Sequence, residues 1–165
     1  MKPAGCNRAV ERIIVALIRD IRYQGAIMRD GRVLLIRHKH FSDGRTYWLF
    51  PGGGIEPGET EHECVCREMR EETGLEVKVE RLVFDEPYDV QGTYRRRHMY
   101  LCSIVSGEPA PGYEPEPEAA AEYQIIETRW VNLADDADWG DAANDRFTGP
   151  ELRRLRAALN ADAAT

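Results

Sequence analysis

Three glutamates, Glu68, Glu71 and Glu72, stand three and four residues apart behind the glycine run Gly52, Gly53 and Gly54. On a helix of about 100° per residue counted from Thr60, they fall near 80°, 20° and 120°, a single arc. Arg67 lies beside them near 340°, while Val65, Met69, Thr73 and Cys66 occupy roughly 140° to 240°. One helix would therefore offer an apolar back for packing and a ridge of three carboxylates. Like charges so spaced repel by about 0.2–0.5 kcal/mol per neighbouring pair. A hard divalent cation relieves that repulsion, takes oxygen ligands and bridges phosphate oxygens. Glycines ahead of the helix let backbone groups approach such a cation and its phosphates. The pattern suits metal-assisted phosphoryl chemistry. For any one glutamate alone, a solvated helix face is the plain alternative.

The run from Gly53 through Glu59 to Arg67-Glu68-Met69-x-Glu71-Glu72-x-Gly74-Leu75 resembles the Nudix box at every position. Chance assembly at this composition is about one in a million. The resemblance extends to the Trp48–Pro51 lead-in and to Arg129-Trp130-Val131. It implies an α+β chain folded as a Nudix-type α/β/α sandwich with a mixed sheet, as one domain over 1–165. It also implies Mg²⁺ or Mn²⁺ and cleavage of a nucleoside diphosphate linked to another group. On the matched positions, Glu71 and Glu72 would be the principal metal ligands and Glu68 a further ligand or base. The Gly52 carbonyl would be a backbone ligand, and Glu59 would pair with Arg67 to orient loop and helix.

Substrate contacts are expected at Gly53, Gly54, Trp48 and Arg96. Trp48 would stack on a base, with core packing as the alternative for it, Tyr47 or Phe50. Arg96, in Arg95-Arg96-Arg97, would meet a phosphate with its rigid fork, against a bland role in solubility and edge protection. A fourth carboxylate facing the ridge from a later loop is expected among Glu118, Glu122 and Glu127. Glu122 is preferred because it adjoins a strand. The competing reading is a Nudix-fold module that senses a nucleotide without cleaving it. A zinc hydrolase using the histidines is a second rival.

Local signals name the elements that must hold these residues. Thr60-x-x-Glu63 is a capping box and Gly74 a good terminator, which predicts a helix over about 61–73. Asp30-Gly31 between Tyr23–Met28 and Arg32–Arg37 predicts a hairpin. His38 to Arg45 reads as a polar loop and Tyr47–Phe50 as a short strand. Strands are expected around Val77–Phe84, at Tyr94–Val105 (apolar on both faces, hence central and covered) and at Tyr123–Val131. Gly107–Glu118, with four prolines, reads as a loop, and Asp135–Asp145 as irregular. Thr148-x-x-Glu151 with Pro150 opens a last helix over about 149–160. The stripe Val10, Ile13, Ile14, Leu17, Ile18, Ile21 predicts a helix over about 8–20, with a strand as the competitor.

The composition bounds the partners. The 165 residues, 42% hydrophobic and 31% charged, suit one soluble domain. With 22 basic and 29 acidic residues the charge is −7, which sets no field to attract a nucleic-acid polymer or an anionic membrane. A small nucleotide is the expected partner, and a homodimer is compatible with the sequence. The longest apolar run, Ile13 to Ile18, is too short for a membrane span. Cys6, Cys64, Cys66 and Cys102 show no disulfide framework, which suits reduced thiols in a cytoplasm. Cys64-x-Cys66 would point about 200° apart on a helix, so core packing is expected rather than a metal pair. His38-x-His40 is expected in a phosphate or surface role.

Overall fold

Asp30 and Gly31 both take positive φ, 51° and 74°, and turn β1 (Ile21–Arg29) into β2 (Arg32–His40). This is the geometry that a two-residue hairpin turn needs. A computed structural model describes residues 20–88 and 94–165. The helix expected over about 8–20 lies outside the described residues, which begin at its last position. After β2 come β3 (Thr46–Leu49), the two-residue β4 (Gly52–Gly53), helix α1 (Glu61–Thr73), β5 (Glu76–Pro87) and β6 (Arg96–Ser106). A short helix α2 (Pro117–Glu122), β7 (Tyr123–Asn132), a 3₁₀ segment (Asp136–Asn144) and helix α3 (Thr148–Ala163) complete the chain.

The sheet runs β3-β2-β1-β6-β5, with β7 on β2 and β4 on β1. β1 and β6 pair parallel from Ile21↔Arg96 to Ile27↔Cys102, and the other pairs are antiparallel. The sheet is therefore mixed, as expected. Alternation along its strands divides two cores. Ala26, Val33, Leu35 and Met99 face one side, where Trp139, Leu152 and Leu155 cover them. Ile27, Leu34, Tyr100 and Cys102 face the other, under Val65 and Met69 of α1. Helices thus cover both faces, the α/β/α arrangement.

Several local expectations are corrected. β2 continues through His40 because β3 and β7 pair with it on either side, so His38 and His40 are strand residues and not loop. Val105 is 67% exposed, so β6 is covered on both faces only along its middle. Pro117 starts α2 within the stretch read as loop, since its fixed φ suits a first helical turn. Asp135–Asp145 winds into a 3₁₀ segment around the fully buried Trp139, whose Nε1 donates to the Asn132 carbonyl at 2.8 Å. The last helix lacks the expected capping box. The Thr148 hydroxyl donates instead to the Trp48 carbonyl, and Asp145 Oδ1 accepts from the Phe147 and Thr148 amides at 2.9 and 3.0 Å.

Candidate active site

Helix α1 is fixed at both ends by its own sequence. The Glu63 amide donates to Thr60 Oγ1 at 3.2 Å, and Glu63 Oε2 accepts from the Thr60 amide at 2.8 Å. Gly74 closes the far end in the left-handed region. Between these caps Val65 and Met69 sit in the core, as the wheel requires. Cys64 joins them, while Cys66 donates to the Val77 carbonyl. Burial raises the pKa of all three described thiols, which are free, so the pair packs rather than ligates.

The carboxylate ridge lies deeper than a solvated face would. Glu72 is 3% exposed and Glu68 9%, both pressed against β4. A Cβ at Gly53 would stand 2.4 Å from Glu68 Oε1, so any side chain there would push that carboxylate out of its present position. The Gly52 amide donates to Glu72 Oε2 at 2.7 Å. Arg67 ties the rest together. Its Nε and Nη2 hold Glu59 at 2.5 and 3.0 Å, and Nη2 also reaches the Gly54 carbonyl at 3.0 Å. Its Nη1 donates to Glu68 at 2.8 Å and to Glu71 at 3.2 Å.

Burial dominates the electrostatics of the ridge. It pushes Glu68 up to about 7, against the pull of Arg67 and Arg22. It drives Glu72 well above the usual carboxylate range, with the Glu68 charge adding to the effect, and it raises Glu71 too. Burial also disfavours the Glu59 anion, but hydrogen bonds from Arg67 and the Glu56 amide outweigh it and lower that pKa. Among the described residues, no three Asp, Glu, His or Cys side chains meet at one ligating point, and Glu68 and Glu71 turn to Arg67. The oxygens of Glu68, Glu71 and Glu72 are hard donors, crowded and mutually repelling, buried in Glu68 and Glu72 and half-buried in Glu71, and a glycine cradle stands beside them. That donor set fits a hard divalent cation.

A loop carboxylate comes to the ridge, and it is Glu114. The amides of Ala110, Gly112 and Tyr113 donate to the carbonyls of Thr73, Glu72 and Glu71, each at 3.0 Å. Those carbonyls end α1 and have no partner within the helix. The close approach depends on Gly112, where a Cβ would stand 1.8 Å from the Glu71 carbonyl oxygen. Docked in this way, Glu114 adds its charge to the repulsion that raises Glu71 and Glu72. Its Oε2 accepts from the Tyr123 hydroxyl at 2.7 Å and its Oε1 from the Glu116 amide at 3.2 Å.

Residues 21–148 match the NUDIX domain. The chain belongs to this family. A Mycobacterium tuberculosis relative, named as a candidate 8-oxo-dGTP diphosphatase 2, is 32% identical over 153 residues, 90% of this chain and 96% of its own. The CTP pyrophosphohydrolase of Escherichia coli is 36% identical over 74 residues, 45% of this chain and 55% of its own. The match likewise takes in only 30% to 55% of the length of other curated relatives. A NUDIX hydrolase structure from Nitrosomonas europaea superposes with a TM-score of 0.67 at 20% identity, over 87% of this chain and 89% of that one. That likeness concerns the fold.

Beside the NUDIX ridge opens a cleft of about 660 Å³, lined by rings of Tyr47, Tyr88, Tyr94, Tyr123 and Phe147 and by Arg22, Arg45 and Arg146. Arg22 stands at its junction with the ridge. Desolvation works against its charge, but Glu72, Tyr88, Tyr94 and Glu68 outweigh it and raise its pKa. His38 is 4% exposed, and burial, with the charges of Arg22 and His40, lowers it to about 3, so its ring stays neutral. His38 stacks on Tyr123 at 4.3 Å, and Tyr47 Oη lies 3.3 Å from His38 Nδ1 and 3.0 Å from His40 Nε2. Both histidines thus line the cleft, His38 buried and His40 half-buried.

The structure brings together Gly52, Gly53, Gly54, Glu59, Arg67, Glu68, Glu71 and Glu72. Trp48 packs in the core while also bordering the cleft, its Nε1 donating to Asp141 at 2.8 Å. Arg96 instead donates to Asp85 through its Nε at 3.0 Å and is absent from the cleft lining. Glu122 is exposed at the end of α2, where its backbone carbonyl accepts from the Phe41 amide at 2.9 Å, and Glu127 pairs with Arg37. Sequence reasoning missed Glu114 and Arg22. Gly112 between prolines was the available signal for the first, because it marks a stiff path that needs close backbone approach.

Proposed function

We propose that this chain hydrolyses the pyrophosphate linkage of a nucleoside diphosphate derivative, with Mg²⁺ or Mn²⁺ held by Glu68, Glu71, Glu72 and the Gly52 carbonyl. One observation carries the reading: two buried carboxylates and a half-buried third repel one another, and Arg22, which feels the charges of Glu72 and Glu68, joins them to a cleft of about 660 Å³ walled by aromatic rings and arginines. Bound there, the cation would neutralise phosphate charge and acidify a water. Arg67 keeps Glu68 and Glu71 aimed at that region while Glu59 and Gly54 hold Arg67. Arg22, which lines the cleft and feels the charges of Glu72 and Glu68, would pair with a phosphate oxygen. Glu114, carried by the loop on the end of α1, would accept the proton of the attacking water. The cleft rings supply flat faces for a base.

The names of the relatives, a CTP pyrophosphohydrolase and a candidate 8-oxo-dGTP diphosphatase, support a nucleoside triphosphate among the first substrates to try. The reduced cysteines support a reducing compartment such as the cytoplasm. No helix among the described residues is long and apolar enough to cross a membrane. A panel of nucleoside triphosphates, nucleotide sugars and dinucleotides, incubated with Mg²⁺ and resolved by product, tests the reading. Release of a nucleoside monophosphate is expected, and chelator should abolish it. Binding without turnover for every member would instead establish the sensing module.

A further inference from the structure

Tyr123 touches both halves of the site. It opens β7 opposite His40, its ring lies against His38 in the cleft wall, and its hydroxyl reaches over to the loop carboxylate. The loop backbone is settled by three amides on the end of α1, yet that leaves the Glu114 side chain free to rotate about its own bonds. Two donors remove the freedom. One is the neighbouring Glu116 amide, which belongs to the same loop and moves with it. The other, Tyr123, belongs to the sheet. A hydrogen bond to a charged acceptor is short and directional, and from a strand residue it fixes a side chain in the frame of the fold.

We infer that Tyr123 is a positioning residue: its hydroxyl aims the Glu114 carboxylate at Glu71 and Glu72, while its ring carries the bound nucleotide. The inference rests on the reading of Glu114 as the proton acceptor. Substrate contact and direction of the base are then joined in one side chain. A ligand that packs firmly on the His38–Tyr123 face holds the hydroxyl, and with it the carboxylate, in register. A ligand too small to reach that face leaves Glu114 less well aimed. Burial and the bond to Glu114 keep the phenol protonated, so it remains a donor at any working pH.

Tyr123→Phe removes the hydroxyl and keeps the ring. With saturating Mg²⁺ and the best substrate of the panel, kcat should fall about tenfold, the scale of a lost hydrogen bond to a charged group. KM should stay within about twofold, and the melting temperature should hold, because the ring packing is intact. In a Glu114→Gln background the same substitution should cost nothing further, since there is no base left to aim. A wild-type kcat in Tyr123→Phe overturns the inference. So does a raised KM with unchanged kcat, which would make the residue a binding wall alone, and so does an equal loss in the Glu114→Gln background. A wild-type rate in Glu114→Gln overturns the assignment of the base instead, and wild-type protein without turnover overturns the hydrolase reading. An active wild type with inactive Glu114→Gln and fully active Tyr123→Phe removes this inference alone.

Discussion

Glu72 combines two features that pull in opposite directions: its near-complete burial disfavours the charge, and the Gly52 amide on Oε2 favours it. Under the proposed function the ridge works through its charge, so Glu72→Gln and Glu71→Gln should each lower kcat by at least about 10²-fold with the fold intact. Glu63→Gln should do little, because a glutamine oxygen can still accept from the Thr60 amide. Equal losses at all three positions would contradict the assignment. Folding feels the same charges with the opposite sign. Glu68 at about 7, and Glu72 above the usual range, bind protons more tightly in the folded chain than in the unfolded one. Their contribution to stability is therefore present at low pH and lost as pH rises from about 4.3 through about 7. His38, lowered to about 3, acts in reverse, and its contribution is lost as pH falls below about 6.5. Thermal melts of wild type against Glu72→Gln isolate the carboxylate part. In chelator the variant should gain on wild type from about pH 5 to about pH 8, and saturating Mg²⁺ should restore wild type alone. A gap that does not change with pH would refute this account.

At the scale of elements, the docking of the Ala110–Glu114 backbone onto the end of α1 is the contact most exposed to a single change. Gly112→Val places atoms where the Glu71 carbonyl already is, so the loop must lift. The expected result is a folded protein whose Ala110 and Tyr113 amides lose protection in hydrogen exchange and whose kcat falls, with Glu114 no longer at the ridge. Retained protection would show that the helix end gives way instead. This contact also explains what could be read from the sequence. The Thr60–Glu63 box, Gly74 and the Asp30–Gly31 turn act over two to four residues, so local spacing revealed α1 and the hairpin. The box glutamates, fixed by one helix, were legible for the same reason. The backbone of Ala110, Gly112 and Tyr113, which carries Glu114, meets its partners about forty residues upstream, and Thr148 spends its hydroxyl on the Trp48 carbonyl instead of a cap. No local pattern encodes such pairings. The preference for Glu122 took strand adjacency as the sign of a fixed side chain, whereas Glu122 is exposed and the loop before it is fixed by a helix end.

Across the whole molecule, the sheet separates the carboxylate ridge from the larger core. The carboxylates belong to α1 on one face, while Trp139, Leu152 and Leu155 fill the other. Trp139→Ala opens a large cavity on that second face and should cost about 3–5 kcal/mol, read as a lowered denaturant midpoint. Below its melting temperature the variant should keep most of its kcat, because Glu68, Glu71 and Glu72 pack on the other face, while its KM should rise, because Trp48 shares the core of Trp139 and borders the cleft. A selective loss of activity at unchanged stability would show that the two faces are coupled. The Asp30–Gly31 turn has a practical use that follows from this layout. It stands at the opposite end of β1 from Arg22, eight residues and thus about 26 Å away along the strand. A short affinity peptide spliced between Asp30 and Gly31 would tether the protein to a bead with the mouth of its cleft turned to the medium. Turnover per tethered molecule should then equal that in free solution, which makes this hairpin tip the natural handle for a flow reactor or a surface sensor.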